Sequence, residues 1–274
     1  LILCGEHAVV YGHPAIALAV DRGTSVRLSR IDGPTRRLDD GATDPRLGQV
    51  FAAALPATGV GIALASDLPI GRGMGSSAAL AVALVRARAA LDGHEPTLDT
   101  IYDQAFAIER IFHGNPSGLD HAVSSRGGAL RYRRGPPPDF EPLPCPAWSL
   151  VVLDSGAEGN TAELVAGVAS RRPGVDPHLD RIGELVDQAA GALRDPSALG
   201  PLLTENHRLL RAIGVSTPRL DALVELALSC GAHGAKLAGA GGGGVVLALT
   251  SDPDPLLRAA AAQGIPALQC QPVE

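Results

Sequence analysis

The chain has 274 residues, 46% hydrophobic and 19% charged, a balance typical of a folded globular protein with a sizeable core and not of a disordered one. Its formal net charge of −6 argues against a nucleic acid or another polyanion bound through bulk electrostatics. Four widely separated cysteines, without a Cys-x-x-Cys pair, favour free thiols in a reducing cytoplasm over a zinc site or a disulfide framework.

Hydrophobic periodicity predicts an α+β protein whose N-terminal half alternates strands and helices and whose C-terminal half is mostly helical before it returns to a sheet. Strands are predicted at 15–20, 24–31, 60–66, 127–132, 149–154, 233–237 and 245–249, with a further strand at the C-terminus. Helices are predicted at 46–55, 77–91, 97–112, 161–170, 179–193, 197–213, 218–230 and 255–263. The proline-rich segment 135–146 is the best candidate for a linker. Arginines interrupt the alanine-rich helix 77–91, so it is a core helix and not a membrane span.

A glycine-rich turn, Gly71 to Ser77, joins the strand 60–66 to the long helix. Backbone that wraps around phosphate oxygens needs positive φ angles and no Cβ in the way, which glycine provides. A helix that opens from such a turn directs its unpaired N–H groups and the positive end of its dipole at the bound phosphate. The turn lacks the Gly-Lys-Ser/Thr ending of the common nucleotide loop, so taken alone it also fits a strand-to-helix turn with an N-cap serine.

Two carboxylates flank a second turn, in the segment ERIFHGNPSGLD. Glu109 lies on the helix 97–112, and Asp120 follows eleven residues later, beyond a turn rich in glycine and proline. Phosphoryl transfer needs one carboxylate to hold magnesium and another beside the acceptor hydroxyl to orient or deprotonate it. Taken alone, the segment also fits a surface glutamate and a turn aspartate.

Two further segments carry a signal. The run 239–244, Gly-Ala followed by four glycines, would be costly inside a strand or helix. We therefore expect its backbone to approach a ligand or the first glycine turn closely, with a flexible hairpin as the alternative. Glu6 and His7, a polar pair between apolar runs, are candidates for substrate contact, although a histidine there also fits a structural role.

In chain order, the segments GEHAVVYGHPAIA, PIGRGMGSSAA, HGNPSGLDHAVSSRGG and AKLAGAGGGG resemble the GHMP family of small-molecule kinases. The resemblance covers nearly the whole chain, from Leu1 to about Leu249. The central turn is common to the whole superfamily, and the narrower signal lies in HGNPSGLD, GEHAVVYG, NTAELVAGV and GAGGGG. The resemblance implies the family's two-domain α+β fold, with domains at 1–146 and 147–274 and the active site in the cleft between them.

The resemblance also implies a reaction, the Mg²⁺-dependent transfer of the γ-phosphoryl group of ATP to the primary alcohol of mevalonate. Asp120 matches the residue that orients or deprotonates the acceptor hydroxyl, while Glu109 and Ser77, with Ser76 as the alternative, match magnesium ligands. The residues expected to contact ATP are Pro69, Gly71, Arg72, Gly73, Met74, Gly75, Ser76, Ser77 and Ala78. The residues expected to contact the acceptor are Glu6, His7, Asp120, Thr161, Gly239, Ala240 and Gly241.

Two alternatives stay open: another GHMP kinase, acting on phosphomevalonate or a sugar alcohol, and a non-catalytic relative that binds a nucleotide or a metabolite. In the family, a Pro-Gly-Lys segment precedes the residues matching Leu1 to Leu3, and its lysine interacts with the catalytic aspartate. Lys236, the only lysine here, lies in the far glycine motif. We therefore expect slow turnover from residues 1–274 alone and activity from a form with upstream residues. ATP and the acceptor are the only predicted partners, without nucleic acid or membrane, and a homodimer stays open.

Overall fold

The computed structural model describes residues 1–39, 45–68, 72–114 and 116–274. About 44% helix and 23% strand confirm the mixed α+β class. The described residues form two compact units. The first unit comprises 1–21, 72–74 and 127–274, and the second comprises 22–39, 45–68, 75–114 and 116–126.

The secondary-structure elements are numbered in chain order. The strands are β1 (Ile2–Cys4), β2 (Pro14–Leu18), β3 (Thr24–Pro34), β4 (Arg36–Arg37), β5 (Thr58–Ser66), β6 (Ala129–Arg133), β7 (Asp139–Leu143), β8 (Ser149–Asp154), β9 (Gly234–Leu237), β10 (Val245–Thr250) and β11 (Ala267–Cys270). The helices are α1 (Leu47–Ala54), α2 (Ser76–Leu91), α3 (Leu98–His113), α4 (Leu119–Arg126), α5 (Thr161–Ser170), α6 (Asp176–Ala192), α7 (Pro196–Ala212), α8 (Pro218–Ser229) and α9 (Asp254–Ala262). A short 3-10 helix, Ala8–Tyr11, lies within the N-terminal polar turn.

The first unit has two antiparallel four-stranded sheets among its described residues, in the orders β1-β2-β6-β7 and β11-β8-β10-β9. Strands β8 and β10 pair along their whole length, from Val245 opposite Asp154 to Thr250 opposite Ser149. Every residue of β10 is buried. A continuous apolar run is the pattern expected of a strand covered on both faces, which is why both strands could be found from the sequence. Helices α7 and α8 pack against β9, at the edge of the second sheet.

The second unit has a described sheet of order β3-β5-β4, in which β3 is antiparallel and β4 parallel to β5. Its core joins β5 to α2 and α3 through buried apolar side chains such as Ile62, Leu84 and Ile108. Helix α3 begins where the hydroxyl of Thr97 accepts a hydrogen bond from the backbone N–H of Thr100. The packing of these helices fixes the positions of the polar residues at their ends.

Helix α4 was not predicted from the sequence. Asp120 was placed beyond a turn, with a turn aspartate as the alternative, and it lies in α4, which begins at Leu119 and buries Leu119, Ala122 and Val123. The carboxylate therefore lies in the first turn of a helix, where the helix dipole favours a negative charge. An eight-residue helix has too few apolar positions to show a helical period in the sequence.

The linker prediction for 135–146 is wrong in its central part. Residues Asp139–Leu143 form β7, which pairs with β6 from Leu143 opposite Ala129 to Asp139 opposite Arg133. Because β7 is the edge of its sheet, the missing N–H of Pro142 is tolerated there. Proline-rich composition was mistaken for a connection between domains.

The compact units do not follow the predicted boundary between residues 146 and 147. Residues 1–21 and 127–146 group with the C-terminal part of the chain. As a boundary between family domains, the division at 146 stays a prediction. None of the helices in the described part of the chain combines the length and the hydrophobicity that a bilayer-spanning segment needs.

Candidate active site

Three helices of the second unit bring together Ser77, Glu109 and Asp120. Ser77 lies in the first turn of α2, Glu109 lies in the last turns of α3, and Asp120 lies in the first turn of α4. These helices pack on one another pairwise. A Cβ built on Gly75 would lie 3.2 Å from Oδ1 of Asp120, so this carboxylate is directly against the backbone that opens α2.

The carboxyl group of Glu109 is buried, and its Oε1 has no hydrogen-bond partner among the described residues. Burial, reinforced by the negative charge of Asp120, raises the pKa of Glu109 to about 8. A hydrogen bond from Ser77 and the charge of Arg46 oppose that rise in pKa. A cation bound between Glu109 and Asp120 would reduce the repulsion between their carboxylates and would give Oε1 of Glu109 a partner.

His113 belongs to the same cluster, although the sequence analysis did not assign it to the site. Its Nε2 lies 3.1 Å from Oγ of Ser77 and 3.9 Å from Oε2 of Glu109. Burial lowers the pKa of His113 and raises that of Glu109, so the contact between them is not an ion pair at neutral pH. Glu109 and His113 are four residues apart on one helix, so their side chains are neighbours on the same face. This spacing was the sequence signal that could have placed His113 at the site.

The N-terminus of α2 has no side-chain cap among the described residues. Its N-cap residue is Gly75, in the left-handed conformation with φ of 75°, and no described side chain accepts a hydrogen bond from the first turn. The serine cap considered from the sequence is therefore wrong. The N–H groups of Ser76, Ser77 and Ala78 remain available to a ligand. Pro69 and Gly71, also expected to contact ATP, lie outside the described residues.

In the first unit, the glycine run 239–244 packs closely against residues 72–73. A Cβ on Gly73 would lie 2.9 Å from the carbonyl oxygen of Ala238, and one on Gly244 would lie 2.7 Å from that of Arg72. The expected close approach of the two glycine segments is confirmed. A small, open cleft lies along this contact, and Thr161, Ala240 and Gly241 from the predicted acceptor-binding set line it.

Glu6 and Lys236 form a buried ion pair in the first unit. The Nζ of Lys236 donates to Oε1 of Glu6, and Nδ2 of Asn206 donates to Oε2 at 3.1 Å. Both carboxylate oxygens of Glu6 are thus satisfied within the fold. The sequence analysis gave Lys236 no partner, because 230 residues separate it from Glu6 and no local pattern connects them.

His7 follows Glu6 in a strained turn. Its φ of 61° and ψ of −46°, with a 2.7 Å hydrogen bond from the N–H of Ala8 to the carbonyl oxygen of Glu6, define a γ-turn of the rare positive-φ kind. Among the described residues it is the only non-glycine with positive φ. Burial lowers the pKa of His7, and its Nε2 lies 2.9 Å from the carbonyl oxygen of Ala240. The neutral ring therefore carries its proton on Nε2 and leaves Nδ1 as an acceptor.

No group of three or more His, Cys, Asp and Glu side chains within the described ranges has the geometry of a metal cage. A magnesium ion bound mainly by substrate phosphates needs only one or two protein ligands, so it does not require such a group. The buried, unpartnered Oε1 of Glu109 beside the hydroxyl of Ser77 supplies oxygen ligands of the kind that magnesium prefers.

Family models match both halves of the chain. The model for the GHMP kinases N terminal domain matches residues 46–128, and the model for GHMP kinases C terminal matches residues 184–265. The mevalonate kinase of Pyrococcus horikoshii is 37% identical over 91% of this chain and 86% of its own length. That of Methanothermobacter thermautotrophicus is 34% identical over 90% of this chain and 86% of its own length.

Solved structures give the same result. The L. major mevalonate kinase in complex with R-mevalonate superposes with a TM-score of 0.84 and 30% identity, covering 99% of this chain and 93% of that chain. The Methanococcus jannaschii mevalonate kinase has a TM-score of 0.88 and 25% identity, covering 100% of this chain and 96% of that chain.

A glycine turn that opens a helix, together with two carboxyl groups at its start, defines a phosphoryl-transfer enzyme of the small-molecule kinase class. The chain belongs to the GHMP kinase family. The mevalonate kinases are among the relatives that are similar to it over nearly the whole chain.

Proposed function

We propose that the protein transfers the γ-phosphoryl group of ATP to the primary alcohol of mevalonate, giving 5-phosphomevalonate and ADP. The observation that carries the proposal is the convergence of Asp120, Glu109 and Ser77 at the uncapped start of α2. The names of the relatives support the choice of acceptor. The four free thiols support a reducing cytoplasm as the site of this activity.

The phosphates of ATP bind along the glycine turn and the first turn of α2. The N–H groups of Ser76, Ser77 and Ala78 donate to phosphate oxygens, and the positive end of the helix dipole adds to this attraction. The glycines at 73 and 75 adopt positive φ, which lets the backbone fold around the phosphate chain. This binding positions the γ-phosphoryl group near Asp120.

Glu109 and Ser77 hold magnesium in this proposal. The buried Oε1 of Glu109 has no partner in the described chain, so a cation there would satisfy it. When bound, Mg²⁺ neutralises the phosphate charge that develops during transfer. His113 keeps the hydroxyl of Ser77 oriented through its 3.1 Å contact.

Asp120 orients the acceptor hydroxyl and takes its proton. The hydroxyl oxygen forms a bond to the γ-phosphorus while the bond from that phosphorus to the β–γ bridging oxygen breaks, and ADP leaves. The protein contributes positioning and charge stabilisation without a covalent intermediate.

The acceptor-side residues proposed in the first unit are Glu6, His7, Thr161 and the segment 239–241. Because both oxygens of Glu6 are occupied by Lys236 and Asn206, its contribution is to fix the γ-turn that presents His7. The free Nδ1 of His7 is the acceptor available to a substrate hydroxyl.

The test is an acceptor panel with a coupled assay of ADP release in the full-length protein. Mevalonate should exceed 5-phosphomevalonate, galactose and homoserine in kcat/KM by about 100-fold or more, because the pocket must pair the polar groups of its own acceptor. The matched control is Asp120→Asn protein purified in parallel, which reports contaminating ATPase. Faster turnover of another alcohol would assign a different acceptor, and nucleotide binding without ADP release on any acceptor would favour a binding protein.

A further inference from the structure

Arg72 has a buried donor that the fold leaves unused. Its Nε lies 3.5 Å from Oδ2 of Asp154, whereas its Nη1 is buried without a hydrogen-bond partner in the described part of the chain. A buried donor without a partner costs on the order of 1–3 kcal/mol, and more when it is charged. Such a group is retained where a ligand completes its hydrogen bonds.

Asp154, whose carboxylate lies beside the guanidinium of Arg72, is itself fixed by a backbone hydrogen bond. Oδ1 of Asp154 accepts a hydrogen bond from the N–H of Gly156 at 2.8 Å, and Asp154 ends the buried strand β8. Asp154 thus fixes one edge of the guanidinium and leaves Nη1 free. The donor is positioned before any ligand arrives, which reduces the entropic cost of binding.

Arg72, which carries Nη1, is one of the residues that line the small open cleft of the first unit. The other lining residues are glycines, alanines and Thr161, so no carboxylate is among the residues found to line it. Thr161 is the first residue of α5, where Asn160 caps the N–H of Glu163 and leaves the earlier N–H groups without a side-chain cap. A guanidinium donor, a hydroxyl and a helix N-terminus together suit an oxyanion.

We propose that Arg72 donates Nη1 to a non-bridging oxygen of the γ-phosphoryl group as it is transferred. This rests on the proposed function. Arg72 is three residues before Gly75, and three peptide steps span at most about 11 Å, so the same turn carries both the guanidinium and the start of α2. A carboxylate of the acceptor is the other oxyanion that would fit. The guanidinium transfers no proton and only stabilises charge.

The test compares Arg72→Gln and Arg72→Lys with the unaltered full-length protein. Affinities for a non-hydrolysable ATP analogue and for ADP are measured by calorimetry with magnesium, and kcat and the KM for mevalonate by ADP release. Arg72→Gln should lower kcat about 10- to 100-fold and weaken the ATP analogue about tenfold, with ADP affinity changed less than about twofold. Arg72→Lys should recover part of kcat, because it restores the charge but not the planar geometry.

Two further variants separate a ligand contact from a structural role. Arg131→Gln is the matched control, since Arg131 pairs with the exposed Asp187 and Glu141 of the same unit and is not among the residues that line the cleft. It should leave both affinities unchanged. Arg72→Gln alone leaves the carboxylate of Asp154 without its charged partner, and adding Asp154→Asn removes that carboxylate. The double variant should therefore regain any thermal stability lost in Arg72→Gln. It should not regain the preference for the ATP analogue over ADP.

Three results would overturn the assignment. Equal weakening of ADP and the ATP analogue would mean that Arg72 contacts the α- or β-phosphate. A raised KM for mevalonate with unchanged nucleotide affinities would assign the cleft to the acceptor carboxylate. No change in kcat or in either affinity would leave the guanidinium with a structural role only. The unaltered protein's turnover on the acceptor panel tests the proposed function separately, so the two failures remain distinguishable.

Discussion

Two buried glutamates, one in each unit, are treated differently by the fold. Glu6 in the first unit is 2% exposed, and Glu109 in the second is 3% exposed. Both oxygens of Glu6 have partners, the ammonium of Lys236 and the amide of Asn206. Glu109 has an oxygen without a partner in the described part of the chain, and its pKa is raised to about 8.

This difference in hydrogen-bonding partners distinguishes a structural glutamate from one expected at a functional site. A buried charge with its own counter-charge and hydrogen bonds is compensated inside the chain and needs no ligand. A buried carboxyl group that is left uncompensated, beside a second carboxylate, costs stability and is expected at a functional site. The uncompensated glutamate thus lies in the second unit, whereas the compensated Glu6 pair of the first unit adjoins a strained backbone turn.

The largest expected effect is on catalysis in the second unit. Asp120→Asn removes the proposed proton acceptor but keeps the shape of the side chain, so kcat should fall by about 10²- to 10⁴-fold. ATP affinity should change by less than about threefold, because the proposed phosphate site is formed by the glycine turn and α2. Steady-state kinetics and calorimetric titration with nucleotide measure the two quantities.

Asp99→Asn is the matched control for that change. Asp99 also lies in the first turn of a helix of the second unit, but its side chain is 84% exposed and pairs with Arg126. Exposed pairs contribute little, so kcat should stay within about twofold. If Asp120→Asn turned over as fast as Asp99→Asn, the catalytic role of Asp120 would be refuted.

The next effect is on stability in the first unit. Lys236→Met leaves the carboxylate of Glu6 buried without its counter-charge and should lower the free energy of unfolding by about 3–5 kcal/mol. Adding Glu6→Gln removes the unpaired charge and should restore most of that loss. Urea denaturation of the single and double variants measures this coupling.

Glu109→Gln in the second unit should have the opposite pattern of effects from Lys236→Met, with little change in stability and a loss of turnover. It removes a carboxyl group that the fold does not compensate, so unfolding free energy should stay within about 1 kcal/mol of the parent or rise. Turnover should fall, because the proposed magnesium ligand is lost. Equal destabilisation by Glu109→Gln and Lys236→Met would remove the distinction between the two glutamates.

Most of the fold follows from local patterns in the sequence. Strands such as β8 and helices such as α5 were found within a residue or two, because apolar runs and helical periods report burial directly. The short helix α4 and the edge strand β7 were missed, since neither is long enough, or apolar enough, to show a period. Among contacts between distant segments, the approach of the two glycine segments was indicated by their composition, whereas the pairing of Glu6 with Lys236 had no local signal.

The residues of the candidate site likewise fall into those that the local sequence predicted and those that it could not. The glycine turn, Glu109 and Asp120 stand out in the sequence because unusual residue types cluster there. The pairing of Glu6 with Lys236 and the orphaned donor of Arg72 depend on how segments more than 80 residues apart come together, which only the folded chain reveals.

The smallest expected effect concerns another uncompensated group of the second unit, His121. Its ring packs against those of Tyr102 and Phe106, with centroids 4.6 and 5.1 Å away, and its Nε2 has no partner among the described residues. Burial, with the charge of Arg126, lowers the pKa of His121 to about 4. Below pH 6.5 the unfolded chain takes up a proton that the folded chain refuses, so stability falls as the pH drops from about 6.5 to 4.

His121→Phe should flatten that fall by an amount of order 2 kcal/mol, measured as the free energy of unfolding at pH 7 and at pH 4.5. The buried His7 and His207 and the half-buried His113, whose pKa values are also lowered, keep part of the slope in both proteins. The raised pKa of Glu109 acts in the opposite direction, since the folded chain then binds the extra proton. Because only His121 differs between the two proteins, an unchanged slope would mean that burial of this histidine does not contribute to the pH dependence of the free energy of unfolding.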